Sequence, residues 1–225
     1  MSNTPVQVFS STGESTMAAN KVLRNTYLLL SATLGFSALI ASLAMAYNAP
    51  APGTLITLGL YFGLLFATHK LQNSAWGILC VFALTGFLGY TLGPIISAYL
   101  RFLPNGHQVV LTALGTTAVS FVGLSAYAIK SGKDFSFLGG FLTIGMLAGF
   151  VLGLIAMFFH LQTLSLVVSG MFVLAMGAFI LFETSSILNG QQTNYITATV
   201  SLYVSIYNLF TSLLHILGVA GMDDN

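Results

Sequence analysis

The chain has 225 residues, 56% of them apolar and only 5% charged. Soluble domains carry about 25% charged residues, and six Lys/Arg with five Asp/Glu cannot coat a water-exposed globule of this length. That excludes a water-soluble enzyme, a disordered chain and a nucleic-acid binder, which needs a basic face. What remains is a polytopic membrane protein with about seven spans.

Residues 1–20 are polar and rich in Ser and Thr. They are expected to form a mobile cytoplasmic tail ahead of a seven-helix membrane domain over residues 21–225. The tail has no apolar h-region, so the first span is expected to act as the targeting signal and remain in place. Apolar stretches follow near residues 25–47, 54–68, 75–100, 108–129, 137–159, 163–188 and 195–218. They are too long and continuous for barrel strands, so the predicted fold is all-α with seven transmembrane helices. The second stretch is short for a hydrocarbon core about 30 Å thick and needs its flanks to complete the crossing.

Short loops force neighbouring spans to run antiparallel. With the N-terminus inside, Lys21, Arg24, Lys70, Lys130 and Lys133 lie in the cytoplasm and only Arg101 lies outside. The excess of basic residues on one side predicts a cytoplasmic N-terminus and a C-terminus on the outer side. Gly59/Gly63, Gly89/Gly93 and Gly145/Gly149/Gly153 recur at spacing four, the pattern that lets membrane helices approach closely. Pro94 lies inside the third span, where its missing N–H predicts a kink or break.

Chemistry-bearing residues are few. Glu183 is the acid within an apolar run, about five residues from the end of span six. A carboxyl at such a position is costly and by default a functional candidate. Span seven carries Thr197, Ser201, Ser205, Asn208 and Ser212 on one helical side. A polar stripe of this kind predicts that span seven is turned into the bundle. Glu183, Ser201, Ser205 and Asn208 form the candidate proton or ion site, with Glu183 expected to approach Ser201 and Ser205 if the faces match. Cys80 is the lone cysteine, so no disulfide forms within the chain and no CxxC metal site exists. His69, His107, His160 and His215 are dispersed without ligand spacing. With no nucleophile–base pair and no phosphate loop, neither an enzyme nor a cofactor is expected.

The run TGFLGYTLGPII (residues 85–96) resembles the signature of the Bax inhibitor-1 family. GTTAVSF (115–121), KDFSFLGG (133–140) and SLYVSIYNLF (201–210) add to it, in the family's order. The resemblance implies six helices arranged around a central seventh. KVLRNTY (21–27), LFETSSI (181–187) and TNYITATVSLYVS (193–205) are similar to bacterial inner-membrane members. That similarity implies a modulator of the membrane-anchored AAA protease FtsH. Other family members are pH-sensitive calcium leak channels gated by two proton-sharing aspartates, and the matching positions here are Glu183 and Ser205. A single carboxyl lacks the like-charge coupling of such a pair, which counts against a calcium leak. The family's basic latch near the end of helix two falls at His69 or Lys70.

Overall fold

The computed structural model describes residues 10–223, with side-chain surroundings for residues 17–221. Seven helices follow one another: α1 (Ser10–Ala46), α2 (Thr54–Leu71), α3 (Ala75–Phe102), α4 (Gly106–Ser131), α5 (Leu138–Phe158), α6 (Gln162–Leu188) and α7 (Tyr195–Asp223). All seven are long and apolar enough to cross a bilayer, and the described residues contain no strand. Residues 1–9 of the expected tail lie outside the described residues, and residues 10–20 form the opening turns of α1.

The boundaries differ from the apolar stretches where polar residues continue a helix beyond the hydrocarbon. α1 has 37 residues, about 55 Å at 1.5 Å per residue, so its first turns extend well past a 30 Å core. α2 takes in His69 and Lys70 in its last turn and reaches 18 residues, enough to span. α3 continues as one helix through Pro94, so of the kink or break expected there the helix is not broken. Pro94 has no N–H to donate to the carbonyl four residues earlier, but the remaining ladder bonds on either side keep the backbone helical, the arrangement that leaves fewest unpaired groups in lipid.

The odd number of crossings gives the bundle two distinct ends. The first end carries the N-terminus of α1 and the α2–α3, α4–α5 and α6–α7 loops. The second end carries the α1–α2, α3–α4 and α5–α6 loops and the C-terminus of α7. α7 packs against α1, α2, α3, α4 and α6, and no residue from Tyr195 to Val219 is exposed. The polar stripe is thus turned into the bundle: Ser205 and Ser212 are buried and Thr197, Ser201 and Asn208 half-buried. Among the described residues, α5 has α6 as its only backbone neighbour of the other helices. It reaches α2 through an edge-to-face contact of Phe62 and Phe150, with ring centroids 5.8 Å apart.

The most extensive helix–helix seam joins α1 to α3. A Cβ on Gly89 would sit 2.4 Å from the Ser37 carbonyl oxygen, and one on Gly93 would sit 2.5 Å from the Ala44 Cβ. This close approach carries a buried polar layer. Ser37 Oγ and Tyr203 Oη share a hydrogen bond of 2.5 Å, and Tyr203 Oη donates to the Thr85 carbonyl at 3.2 Å. One turn along α7, Tyr207 Oη and Thr91 Oγ1 share a bond of 2.9 Å. Leu30, Val81, Leu84, Leu88 and Leu202 pack in one cluster with Tyr203.

Candidate functional site

The polar residues at the first end are organised by the turn between α6 and α7. Gly190 has φ +71°, a left-handed conformation that favours glycine. The turn directs the N–H groups of Gln191 and Gln192 onto the Ser186 carbonyl, at 2.9 and 3.0 Å. The Gln192 side chain then faces back along α6, and its Nε2 donates to Glu183 Oε1 at 3.5 Å. Its Oε1 accepts from the Asn194 N–H at 3.0 Å. Asn194 caps α7: its Oδ1 accepts from the N–H groups of Ile196 and Thr197 at 2.9 and 3.2 Å, two of the donors that a helix start leaves unpaired. Its Nδ2 donates to the Gln72 carbonyl and to Asn73 Oδ1. Thr197 Oγ1 donates to Gln72 Oε1 at 2.5 Å.

A second clasp lies beside the first. Ser185 Oγ donates to the Lys133 carbonyl and accepts from the Phe135 N–H, both at 3.0 Å, and Asn189 Nδ2 donates to it at 3.2 Å. Asp134, in the loop outside the spans, accepts from the Ser136 N–H at 2.9 Å. That bond is the main cause holding its carboxyl below the usual aspartate range. All three loops of this end are therefore joined by side chains of α6 and of the α6–α7 turn.

Glu183 is 4% exposed. Among the described residues it makes no ion pair, and its one hydrogen-bond partner is the long amide contact to Gln192. The other three candidates lie elsewhere. Ser201, Ser205 and Asn208 border a cleft of about 690 Å³ between α2 and α5, floored by α7 and also lined by Tyr61 and Tyr207. Glu183 is not in its wall. On α6, Phe172, Met176 and Phe179 line the cleft, and Glu183 is the next position in that row, by steps of four, three and four. The carboxyl thus lies one turn beyond the cleft, with Phe179 between.

No hydrogen bond joins Glu183 to Ser201 or Ser205 among the described residues. The hydroxyl of Ser205 donates to the Ser201 carbonyl at 2.8 Å, and Asn208 Nδ2 donates to the Val204 carbonyl at 2.8 Å. These donors are satisfied within their own helix. Sequence reasoning missed Gln192, the residue that does reach Glu183. Nothing in its spacing marks it; the glycine two residues earlier signalled a turn without its direction. Asn194, by contrast, had the residue type and place of an N-cap.

The chemistry available is that of one secluded carboxyl. It is able to take up or release a proton, but a hard divalent cation seeks six or more oxygens. No three His, Cys, Asp or Glu residues come together among the described residues. His107, His160 and His215 all belong to the second end of the bundle but form no cluster: His215 Nδ1 shares a 2.8 Å bond with Ser169 Oγ, while His107 is on the surface of α4 and His160 follows α5.

Comparison with known proteins gives this architecture a lineage. A family model described as inhibitor of apoptosis-promoting Bax1 matches residues 19–222, which covers all seven spans. An uncharacterized protein of Pseudomonas aeruginosa is 52% identical over 90% of this chain and 91% of its own length. The Escherichia coli K12 protein named modulator of FtsH protease YccA is 49% identical over 93% of this chain and 94% of its own. An uncharacterized membrane protein of Vibrio cholerae is 44% identical over 99% and 100%. With seven apolar helices, an interior polar helix and a match running from the first span to the last, the chain belongs to the Bax inhibitor-1 family.

Proposed function

We propose that this protein is a non-enzymatic modulator of the membrane-anchored AAA protease FtsH, resident in the bacterial inner membrane. It binds the protease within the bilayer, resists extraction and slows the degradation of other membrane substrates. The observation that carries this reading is the 49% identity, over 93% of this chain, with a protein named for that role. Two physical features support it. The tightly packed α1–α3–α7 core opposes mechanical extraction. Five of the six basic residues belong to the first end of the bundle, and their excess there favours a cytoplasmic N-terminus and a periplasmic C-terminus. The polar sequence ahead of the first span would then be within reach of an AAA motor.

The test is a turnover measurement in cells that contain FtsH. Raised levels of this protein should lengthen the half-life of a membrane substrate, and the protease should co-purify with the tagged protein. Unchanged substrate lifetime together with absent co-purification would overturn the reading. Deleting residues 2–20 should lengthen the protein's own lifetime; no change would remove the N-terminal handle from the account.

The alternative is a pH-sensitive calcium or cation leak. It is supported by the row from the α2–α5 cleft through Phe179 to the secluded Glu183. It is weakened by Ser205, which offers no second carboxyl. Calcium flux into liposomes across pH, with Glu183→Gln as control, decides it: no flux above empty vesicles ends the channel reading.

A further inference from the structure

On the other side of the bundle, α1 and α4 have no backbone contact with each other among the described residues. Between them is a cleft of about 590 Å³, floored by α3 and α7. Its size is that of a ligand site, in the usual range of roughly 300–1,000 Å³. Two properties say what fits. The hydroxyls at its floor are already bonded: Tyr203 to Ser37 and Thr85, Tyr207 to Thr91. No polar group there calls for a polar ligand or for water, so the cleft is suited to hydrocarbon. It is also long. Its α4 wall runs from His107 to Val122, about 22 Å at 1.5 Å per residue, and so exceeds one leaflet of a ~30 Å core.

The charge at its mouth identifies the class of hydrocarbon. His107 lines the cleft where it meets the second end of the bundle. Leu100 lines it from α3, and the following residue, Arg101, is exposed and is the basic Lys/Arg residue of that end. One arm of Arg101 donates to Asn48 Oδ1 in the α1–α2 loop, three residues after Met45, which lines the cleft from α1, and this leaves donors over, since the group has five N–H bonds. α4 begins at the same level with no side-chain cap, so its partial positive charge adds to that of Arg101.

We propose that the α1–α4 cleft holds an acyl chain of one anionic phospholipid, whose phosphate is bound at Arg101 and the start of α4. The lipid supplies the wall that α1 and α4 do not make for each other. It keeps the Ser37–Tyr203 layer dry and ties the site to the leaflet facing the second end.

The experiment uses full-length protein in nanodiscs of equal phosphatidylglycerol and phosphatidylethanolamine, released into detergent and weighed intact by native mass spectrometry. The wild type should retain one phospholipid, enriched in phosphatidylglycerol. Ala118→Trp, which fills the cleft from α4, should lower the retained fraction about tenfold. Val119→Trp, at an exposed position outside the cleft, should leave it unchanged. Arg101→Gln should keep a lipid but lose the preference for the anionic one. Thermal melting in the same detergent shows whether each variant is folded. If Ala118→Trp is not, Ala38→Met fills the cleft from α1 and serves in its place. Equal retention by wild type and the filled variant overturns the proposal, as does equal loss from Val119→Trp. Retention of either headgroup alike by wild type overturns the assignment of Arg101.

Discussion

The α1–α3 seam and the α2–α5 flank carry the same sequence motif and use it differently. On α3, Gly89 and Gly93 lie against the backbone and Cβ atoms of α1 at distances no added Cβ would tolerate. On α2, Gly59 and Gly63 have nothing within 4 Å of where a Cβ would be, and neither has Gly145 on α5. Burial follows: 39% of the apolar window of α3 is inside the protein, against 6% for α2. Lipid tails solvate leucine as well as protein does, so small residues promote association only where a partner with a matching surface exists. Spacing four is permission for close approach and does not name a partner.

Breaking the tight seam should have the largest effect. Gly89→Ala places a methyl against the Ser37 carbonyl, a backbone atom that cannot move without shifting α1. Overpacking of this kind costs about 1–3 kcal/mol or more. In a fluorescence-detected melting series in detergent, Gly89→Ala should unfold well below wild type. Gly63→Ala, made in open space inside a helix, should melt at or slightly above wild type, by up to about 1 kcal/mol. If both variants melt alike, the contrast between the two regions fails.

Tyr203→Phe sharpens the same contrast at a smaller scale. It removes the hydroxyl shared with Ser37 and with the Thr85 carbonyl while keeping the ring. Hydrogen bonds between membrane helices contribute about 0.6 kcal/mol on average and up to about 1.7. Tyr203→Phe should therefore lower stability by about that amount. Adding Ser37→Ala should cost less than it does alone, because the two groups share one bond. Additive losses would show that the hydroxyls act separately.

How far the sequence led depended on whether a feature was set by solvent or by a partner. Solvent decides the number of spans and the inward turn of span seven, and both were legible: an apolar run of 20 residues and a one-sided polar stripe each have a single low-cost environment. The opening of α1 was less so, because polar residues continue a helix once it leaves the hydrocarbon. Partner choice was not legible. The stripe on span seven put Ser201 and Ser205 within expected reach of Glu183, yet Ser205 and Asn208 bond their own preceding carbonyls. Spacing four places a hydroxyl equally near its own helix and a neighbour. Glu183 was visible as a buried acid, but its hydrogen-bond partner came from a six-residue loop whose course is set by the backbone at Gly190.

The two loop clasps at the first end permit a finer test, from Asp134. Its carboxylate, held by the Ser136 N–H, has a folded-state pKa below its ordinary value of 3.8. A depressed pKa means that the unfolded chain binds the proton more readily. The contribution to stability is present in full above the unfolded pKa and is lost as pH falls through the folded one. Above about pH 5 the difference in melting temperature between wild type and Asp134→Asn should therefore be constant. Below about pH 4 it should shrink. The group is on the surface, so the change is small and is best read as a difference between paired melts. A difference that stays the same down to pH 3 would mean that the clasp is held by the Ser185 bonds to Lys133 and Phe135, with the Asp134 charge contributing nothing.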